Sequence, residues 1–504
     1  MMNRPQKVVR FVSMFVLSAV AIGACRLAVA QTAAPGSGMP AASPEIPPAA
    51  EAPPPAAAPP LEIVPPPPPE LAPPPPPPAP PPPPAPPAAP KSNVGAKFSA
   101  DIYGFVEFDA IRDSTQSYNE IGGNAAIAKS GTYAGDHSRL TFSGRNSRFG
   151  VKLKGPDGEI VKASATMEMD FLGNQPSPVS ESALLANPTF RLRHAFLKLE
   201  TPFLTVTAGQ TWNLFGWGGA YFPNTVQIMG LPGQIFNRTP QFRLSHPFKT
   251  DDITVELAAA AARGVQRDGG MPDVVGAARL LINNWKGVHT ANSTGTSIDP
   301  AGIAVSGIYR RMNVNELSAA PKSSVAKNAG GLSVDALIPV VPVTGTDKGN
   351  GLSLTGSFVT GTGLADLYTG LNGGLTNAPL ADATKTYTPN IDPGVVVYDQ
   401  GGNLHTIEWY SYMVGGQYYL PCGCVWLSGN FTSLKSKNAK ELAAGTLSAL
   451  PKVFDKSYWA DGNLFWDVNG ALRMGLEVSY AKQTYLDGST AHDWREQFGA
   501  FYIF

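Results

Sequence analysis

Eight basic side chains gather in one stretch of a chain that is otherwise sparing with charge: Arg139, Arg145, Arg148, Lys152, Arg191, Arg193, Arg238 and Arg243. A guanidinium is planar, permanently charged and forked, so arginines in such numbers suit the recognition of carboxylates. Acidic side chains lie nearby in sequence at Asp101, Glu107, Asp109, Glu168 and Asp170. If they face the arginines from the opposite side, a small charged solute between them feels a transverse field. In Q-F-R-L-S, Gln241, Arg243 and Ser245 share one face of a two-residue alternation, against Phe242 and Leu244. Arg191 and Arg193 also share a face, but His194 and Lys198 on the other phase leave its direction open.

Other chemistry is not visible. No G-x-S-x-G, H-E-x-x-H or P-loop occurs, and six histidines (137, 194, 246, 289, 405 and 492) are scattered outside any nucleophile context. Cys422 and Cys424 form C-x-C, too few ligands for zinc and not the C-x-x-C of a thioredoxin-like site. They read as a turn whose thiols can oxidise in an exported compartment, where pairing across one residue is strained and reducible. No cofactor or metal is expected, and no catalytic residue is assigned. Lys+Arg and Asp+Glu both number 38, a balance unlike the basic domains of nucleic-acid binders.

The elements that must position these side chains are strands. Ile102, Gly104, Val106, Phe108 and Ala110 alternate with Asp101, Tyr103, Phe105, Glu107 and Asp109. Val161, Ala163, Ala165, Met167, Met169 and Phe171 alternate with Lys162, Ser164, Thr166, Glu168 and Asp170, and L-R-M-G-L-E-V-S-Y from Leu472 repeats the pattern. This is period-two patterning at strand length. A soluble sandwich or a membrane barrel produces it. Three features favour the barrel: the length from Val94 to Phe504, aromatics on the apolar face near strand ends (Phe108, Phe171, Tyr480), and short turns alternating with long polar loops such as Thr362 to Leu404. The expected fold is all-β, a transmembrane antiparallel β-barrel of about 16–18 strands. Leu404 to Leu420 has ambiguous phase.

Before the barrel lie two other segments. Residues 1–30 carry Arg4, Lys7 and Arg10, an apolar run from Phe11 to Ala24 and A-V-A at Ala28 to Ala30, which is the form of a signal peptide. I-G-A-C, ending at Cys25, is a competing lipoprotein box. Residues 31–93 are a Pro/Ala-rich spacer, almost wholly Pro and Ala from Pro35 to Pro90, so polyproline II is expected at ~3.1 Å per residue. Residues 94–504 form the barrel domain.

Inside a barrel, width and wall charge decide what passes. Trp212 to Arg238 is long, glycine-rich and aromatic, and suits a loop folded into the lumen as a constriction, with Trp212, Phe215, Trp217 and Tyr221 as its candidates. The competing reading is an external loop packed between subunits. Arg145, Arg148, Lys152, Arg191, Arg193, Arg238, Arg243, Glu107, Asp109, Glu168 and Asp170 are the candidates for the pore wall. At the other end, Q-F-G-A-F-Y-I-F closes the chain on an apolar phase. A barrel's last strand must pair with its first.

F-R-L-R-H-A-F (Phe190–Phe196), T-A-G-Q-T-W-N-L-F (Thr207–Phe215) and G-L-P-G-Q-I-F-N-R-T-P-Q-F-R (Gly230–Arg243) are the most specific of several stretches that resemble the DcaP-like outer-membrane porins. L-S-V-D-A-L-I-P-V-V-P (Leu332–Pro342) and Val395 to Pro421 add to the likeness, which covers most of Lys97 to Phe504. The resemblance implies a homotrimer of 16-stranded barrels in the bacterial outer membrane, passing small anions such as dicarboxylates. Gln497, Gly499, Tyr502 and Phe504 resemble the C-terminal signal read by barrel-assembly machinery. The proline spacer departs from the family, which usually carries a helical, coiled-coil-prone segment there. An outer-membrane barrel enzyme, or a barrel tethered to the cell wall by the proline rod, are the alternative readings.

Overall fold

The computed structural model describes residues 98–504, apart from positions 124, 157, 159, 174–187, 228–229, 265–270, 292–294, 370, 372–374 and 444–453. The signal peptide, Cys25 and the proline spacer lie outside the described residues.

Alternation at strand length folds into one closed antiparallel sheet of sixteen staves. The first is β1 (Ser99–Asp113). The second is broken into β2 (Arg139–Ser143) and β3 (Arg148–Lys154), which pair with the two ends of β1. Then come β4 (Lys162–Asp170), β5 (Arg191–Glu200), β6 (Thr205–Trp212), β7 (Arg238–Lys249) and β8 (Ile253–Ala262). The longest staves follow: β9 (Asp273–Thr290), β10 (Thr296–Asn315) and β11 (Ser324–Val341). After β12 (Leu352–Thr362), a small hairpin of β13 (Val396–Tyr398) and β14 (Leu404–Thr406) stands apart from the wall. The wall resumes with β15 (Glu408–Tyr419), β16 (Val425–Ser436), β17 (Phe454–Asp467), β18 (Leu472–Tyr485) and β19 (Thr490–Ile503).

Closure is made by β19 against β1, from Phe105 opposite Ile503 to Asp113 opposite Arg495. The last residue joins the seam: Gly104 N–H donates to the Phe504 carbonyl at 3.0 Å, and Phe504 N–H donates back at 3.1 Å. Gly104 is required here. Its φ is +156°, and a Cβ would lie 2.1 Å from the Arg148 carbonyl oxygen. No unpaired edge is left, as a lipid environment demands.

The phases expected for β1 and β4 are the ones observed. Ile102, Val106, Phe108 and Met167 face outward and are exposed, whereas Phe105, Glu107, Asp109 and Glu168 face inward and are buried. An apolar outer face on a closed sheet marks a membrane-spanning barrel, and the bacterial outer membrane is where such barrels reside. Short turns (201–204, 250–252, 420–424, 468–471) all fall at one end and the long loops at the other.

One expectation about the loops needs correction. The loop from Thr362 onward is not a purely polar external loop. Leu364, Leu367, Tyr368, Val395–Tyr398 and Ile407 are buried in a core cluster inside the barrel, because this run holds too much apolar surface to leave in water. The phase of Leu404 to Leu420 was ambiguous for a related reason. Trp409, Met413 and Tyr419 point inward against packed loops, while Tyr412, Val414 and Tyr418 point outward, so both faces read as apolar.

Candidate functional site

Most of the lumen is filled by side chains. On the β8–β12 wall, Ala258, Ala260, Val275, Ala304 and Ile308 pack against Leu214, Phe215, Trp217 and Tyr221 of the loop between β6 and β7. At the loop end of the opposite wall, Met413, Trp459, Ala481 and Tyr485 pack against Tyr118, Ile127 and Leu231. Towards the turn end, Phe105, Tyr419, Trp426, Phe465 and Phe501 enclose Val226 and Val288. Along β2–β7, the inward wall is instead polar and charged.

The loop of residues 213–237 crosses the barrel from one wall to the other. Gly216 N–H donates to Ser306 Oγ at 2.8 Å on β10. At its far end, Val226 N–H donates to Glu477 Oε2 at 2.9 Å on β18, and Ser428 Oγ on β16 donates to the Asn224 carbonyl at 2.5 Å. Backbone at this depth is tolerated because strand side chains satisfy its polar groups. Trp212 and Arg238 are the last residue of β6 and the first of β7, so they flank the loop. Phe215, Trp217 and Tyr221 are buried in apolar packing and anchor the loop to the β8–β12 wall.

Facing the loop's other edge, the charged candidates assemble on neighbouring staves. Arg193, 1% exposed, donates to Glu168 Oε1 at 2.6 Å and Asp170 Oδ2 at 3.1 Å. Arg191 grips the same Asp170 with two donors, at 2.9 and 2.6 Å. Arg148 approaches Glu168 at 3.6 Å, and Arg145 donates to both oxygens of Glu120. The acidic residues therefore do not form an opposing wall. They interlace with the arginines on one wall, because β3, β4 and β5 are adjacent and their inward positions meet across the ladder. Glu107 and Asp109 sit next along, on β1, with Asp109 receiving Asn146 and Gln497 amides at 2.8 Å each.

The ambiguity at β5 has a physical cause. Register slips between Glu168 and Met169, so Arg193 is the extra residue of a bulge. Arg191 and Arg193 point inward before the slip and His194 after it, with His194 Nδ1 3.2 Å from Thr211 Oγ1.

Arg238 differs from these arginines. No described carboxylate lies within ion-pair distance of it, and its Nη1 is buried without a hydrogen-bond partner. Its guanidinium stacks 4.6 Å from the Trp212 ring and 5.5 Å from Phe236, in an aromatic corner that Phe222 completes. Nearer the turn end, Arg243 points inward as its phase implied, held by the Trp212 carbonyl at 2.5 Å and by Gln241. It lines a cavity of about 450 Å³ with Lys198, Lys249, Glu256 and Arg279. Lys152 is exposed, with its ammonium 4.5 Å over the Tyr103 ring.

Sequence reasoning missed several other inward ion pairs, among them Arg279 with Glu256 at 2.6 Å. Arg495, 1% exposed, forks onto Asp113 at 2.7 and 2.9 Å. Arg310 forks onto Asp366 at 2.6 and 2.7 Å and also reaches Asp273. Arg473 is gripped by Asp467. Counting back by two from Gln497 would have exposed Arg495 and Asp493 as inward. Of the C-terminal candidates, Gln497 and Gly499 face inward while Tyr502 and Phe504 are exposed. Cys422 and Cys424 are paired in the turn between β15 and β16.

No model of a known protein family matches the chain, and no curated protein does. Among solved structures, it is similar to the outer membrane channel DcaP of Acinetobacter baumannii, with 19% identity and a TM-score of 0.58, over 82% of this chain and 99% of that one. An anion-selective porin from Comamonas acidovorans superposes with a TM-score of 0.46 at 11% identity, over 81% of this chain and 100% of that one. The first likeness is one of fold: this chain, a closed sixteen-stranded antiparallel barrel, has the fold of that channel.

Proposed function

We propose that this barrel is a porin, a water-filled diffusion channel for small hydrophilic solutes that favours anions such as carboxylates. One observation carries the reading. Apolar packing fills much of the lumen, whereas the inward wall along β2–β7 is polar and charged and opens, at Arg243, into the cavity of about 450 Å³. Most arginines along that wall are neutralised by carboxylates, so selectivity rests on Arg238 and Arg243, which form no ion pair among the described residues. Lys152, with its ammonium over the Tyr103 ring, adds to the same sign. Assembly as a homotrimer through the barrel walls, insertion by barrel-assembly machinery that reads the C-terminus, and outer-membrane lipid as the surrounding partner complete the reading.

Purified protein in a planar bilayer under a KCl gradient provides the test. Discrete conductance steps with a reversal potential on the chloride side are expected. A clear potassium preference overturns the anion assignment, and an inserted barrel without conductance overturns the channel.

A further inference from the structure

Strands β9 and β10 part from the wall before they end. Their pairing runs regularly from Val274 opposite Tyr309 to Ile282 opposite Ala301, then skips Asn283–Trp285 and resumes with Lys286 opposite Pro300. Beyond this break the hairpin does not continue along its neighbours. It folds inward across the turn-side mouth. Thr290 N–H donates to Gln417 Oε1 at 3.0 Å, and Gln417 Nε2 donates back to the Thr290 carbonyl at 2.7 Å. Thr290 Oγ1 lies 2.8 Å from the Tyr419 hydroxyl, so the hairpin has reached β15. Arg473 of β18 donates to Thr296 Oγ1 at 3.1 Å, on the far side of the barrel. Val288, fully buried, enters the apolar cluster of Tyr419, Trp426 and Phe465. From above, the crossing loop meets it: His289 Nε2 is 3.2 Å from the Phe222 carbonyl.

We infer that the described arms of the β9–β10 hairpin, Lys286–Ala291 and Gly295–Pro300, form a second constriction, a bar across the periplasmic mouth that divides the exit and sets its width. The inference rests on the channel reading. The geometry of the cavities supports it. The 450 Å³ cavity beneath the crossing loop adjoins one of about 390 Å³, both lined by Arg279 and Leu281, and the second is walled by His289, Ser297, Asp299 and Pro300 of the hairpin. A solute that has passed Arg238 and Arg243 therefore leaves along a surface the hairpin supplies. The break at Asn283–Trp285 is where the inward turn begins, since a bulge bends the strand that carries it.

Two variants test this in bilayers. In the first, Lys286 and Pro300, already a register pair, are joined through a two-residue Asn-Gly turn, which removes the bar and keeps the wall. In the second, Thr290→Val with Gln417→Leu deletes the side-chain latch at nearly constant volume. The shortened hairpin is expected to raise single-channel conductance at least about two-fold. It should also admit larger polyethylene glycols from the periplasmic side. The latch variant is expected to add brief openings above the wild-type level. If the shortened variant does not fold, the latch variant decides. Wild-type conductance and polymer cut-off in the variants that fold overturn the inference while leaving the channel intact. A wild-type barrel that inserts but carries no current overturns the channel reading itself.

Discussion

Replacing Arg238 by Gln isolates the charge on which selectivity is proposed to depend. The side chain has no ion pair among the described residues and rests on the Trp212 and Phe236 rings, so its loss strands no carboxylate. A monovalent anion passing at about 4 Å gains ~1 kcal/mol from one positive charge in water-like surroundings, and a cation loses as much. The difference, ~2 kcal/mol, is screened by salt. With a Debye length of ~10 Å at 0.1 M and ~3 Å at 1 M, roughly two thirds of it survives at the lower concentration and a quarter at the higher. R238Q should therefore lower the chloride-to-potassium permeability ratio roughly ten-fold at 0.1 M KCl and about two-fold at 1 M. Reversal potentials under matched gradients at the two ionic strengths measure this directly. An unchanged ratio at 0.1 M, in a variant that folds and conducts, would refute the assignment of the field to Arg238. Arg193→Gln is the informative contrast. It leaves Glu168 and Asp170 short of a buried partner, so its cost should appear as stability, ~3–5 kcal/mol, before selectivity.

Other consequences are testable on the same preparations. Arg310→Gln breaks the buried fork onto Asp366 and should release the 363–407 loop from the lumen at a cost of ~3–5 kcal/mol, seen as new protease cleavage within that loop. Gly104→Val places a Cβ against the Arg148 carbonyl and should abolish closure, so the compact band of unheated barrel on a denaturing gel disappears. Deleting Phe504 removes both seam hydrogen bonds and should lower the yield of assembled barrel while leaving the conductance of assembled channels unchanged. In the loops, Asp487 receives the Lys129 ammonium at 2.7 Å, and that hydrogen bond holds its carboxyl far below the usual aspartate range. A depressed carboxyl stabilises at all pH values above its unfolded pKa of about 4 and loses that contribution only as pH falls through the folded value. The pin should thus persist at pH 3, where Asp487→Asn already shows a protease-sensitive 114–138 loop.

How much of this was legible beforehand depended on whether the information was local. Alternation in β1 and β4 told the inward residues from the outward ones, since one face met lipid and the other did not. Arg243 followed from the same rule. The rule failed where a local pattern was interrupted by a non-local cause. The bulge at Arg193 depends on how β4 pairs with β5, which no single strand records. The interlacing of arginines with Glu168 and Asp170 depends on stave adjacency, and the pair Arg495–Asp113 joins residues at opposite ends of the domain. Phe215, Trp217 and Tyr221 lie in the crossing loop, but their aromatic character expresses anchoring, while Arg238, without an ion pair among the described residues, sits at its border. Nothing in the long alternation of β9 and β10 announced that their pairing breaks at Asn283–Trp285 and turns inward.

The apolar packing inside the barrel imposes a different mutational logic on the two faces of each strand. An outward Leu or Val is dissolved in a fluid that conforms to it, so any apolar side chain of any shape serves. An inward Trp426 or Phe465, stacked with ring centres 4.0 Å apart, is held by neighbours that do not flow. Swapping leucine for valine should be silent on one side and felt on the other, although the two positions are consecutive in the chain. Lipid selects for solubility and the lumen selects for shape, and β16 carries out both selections in alternate residues.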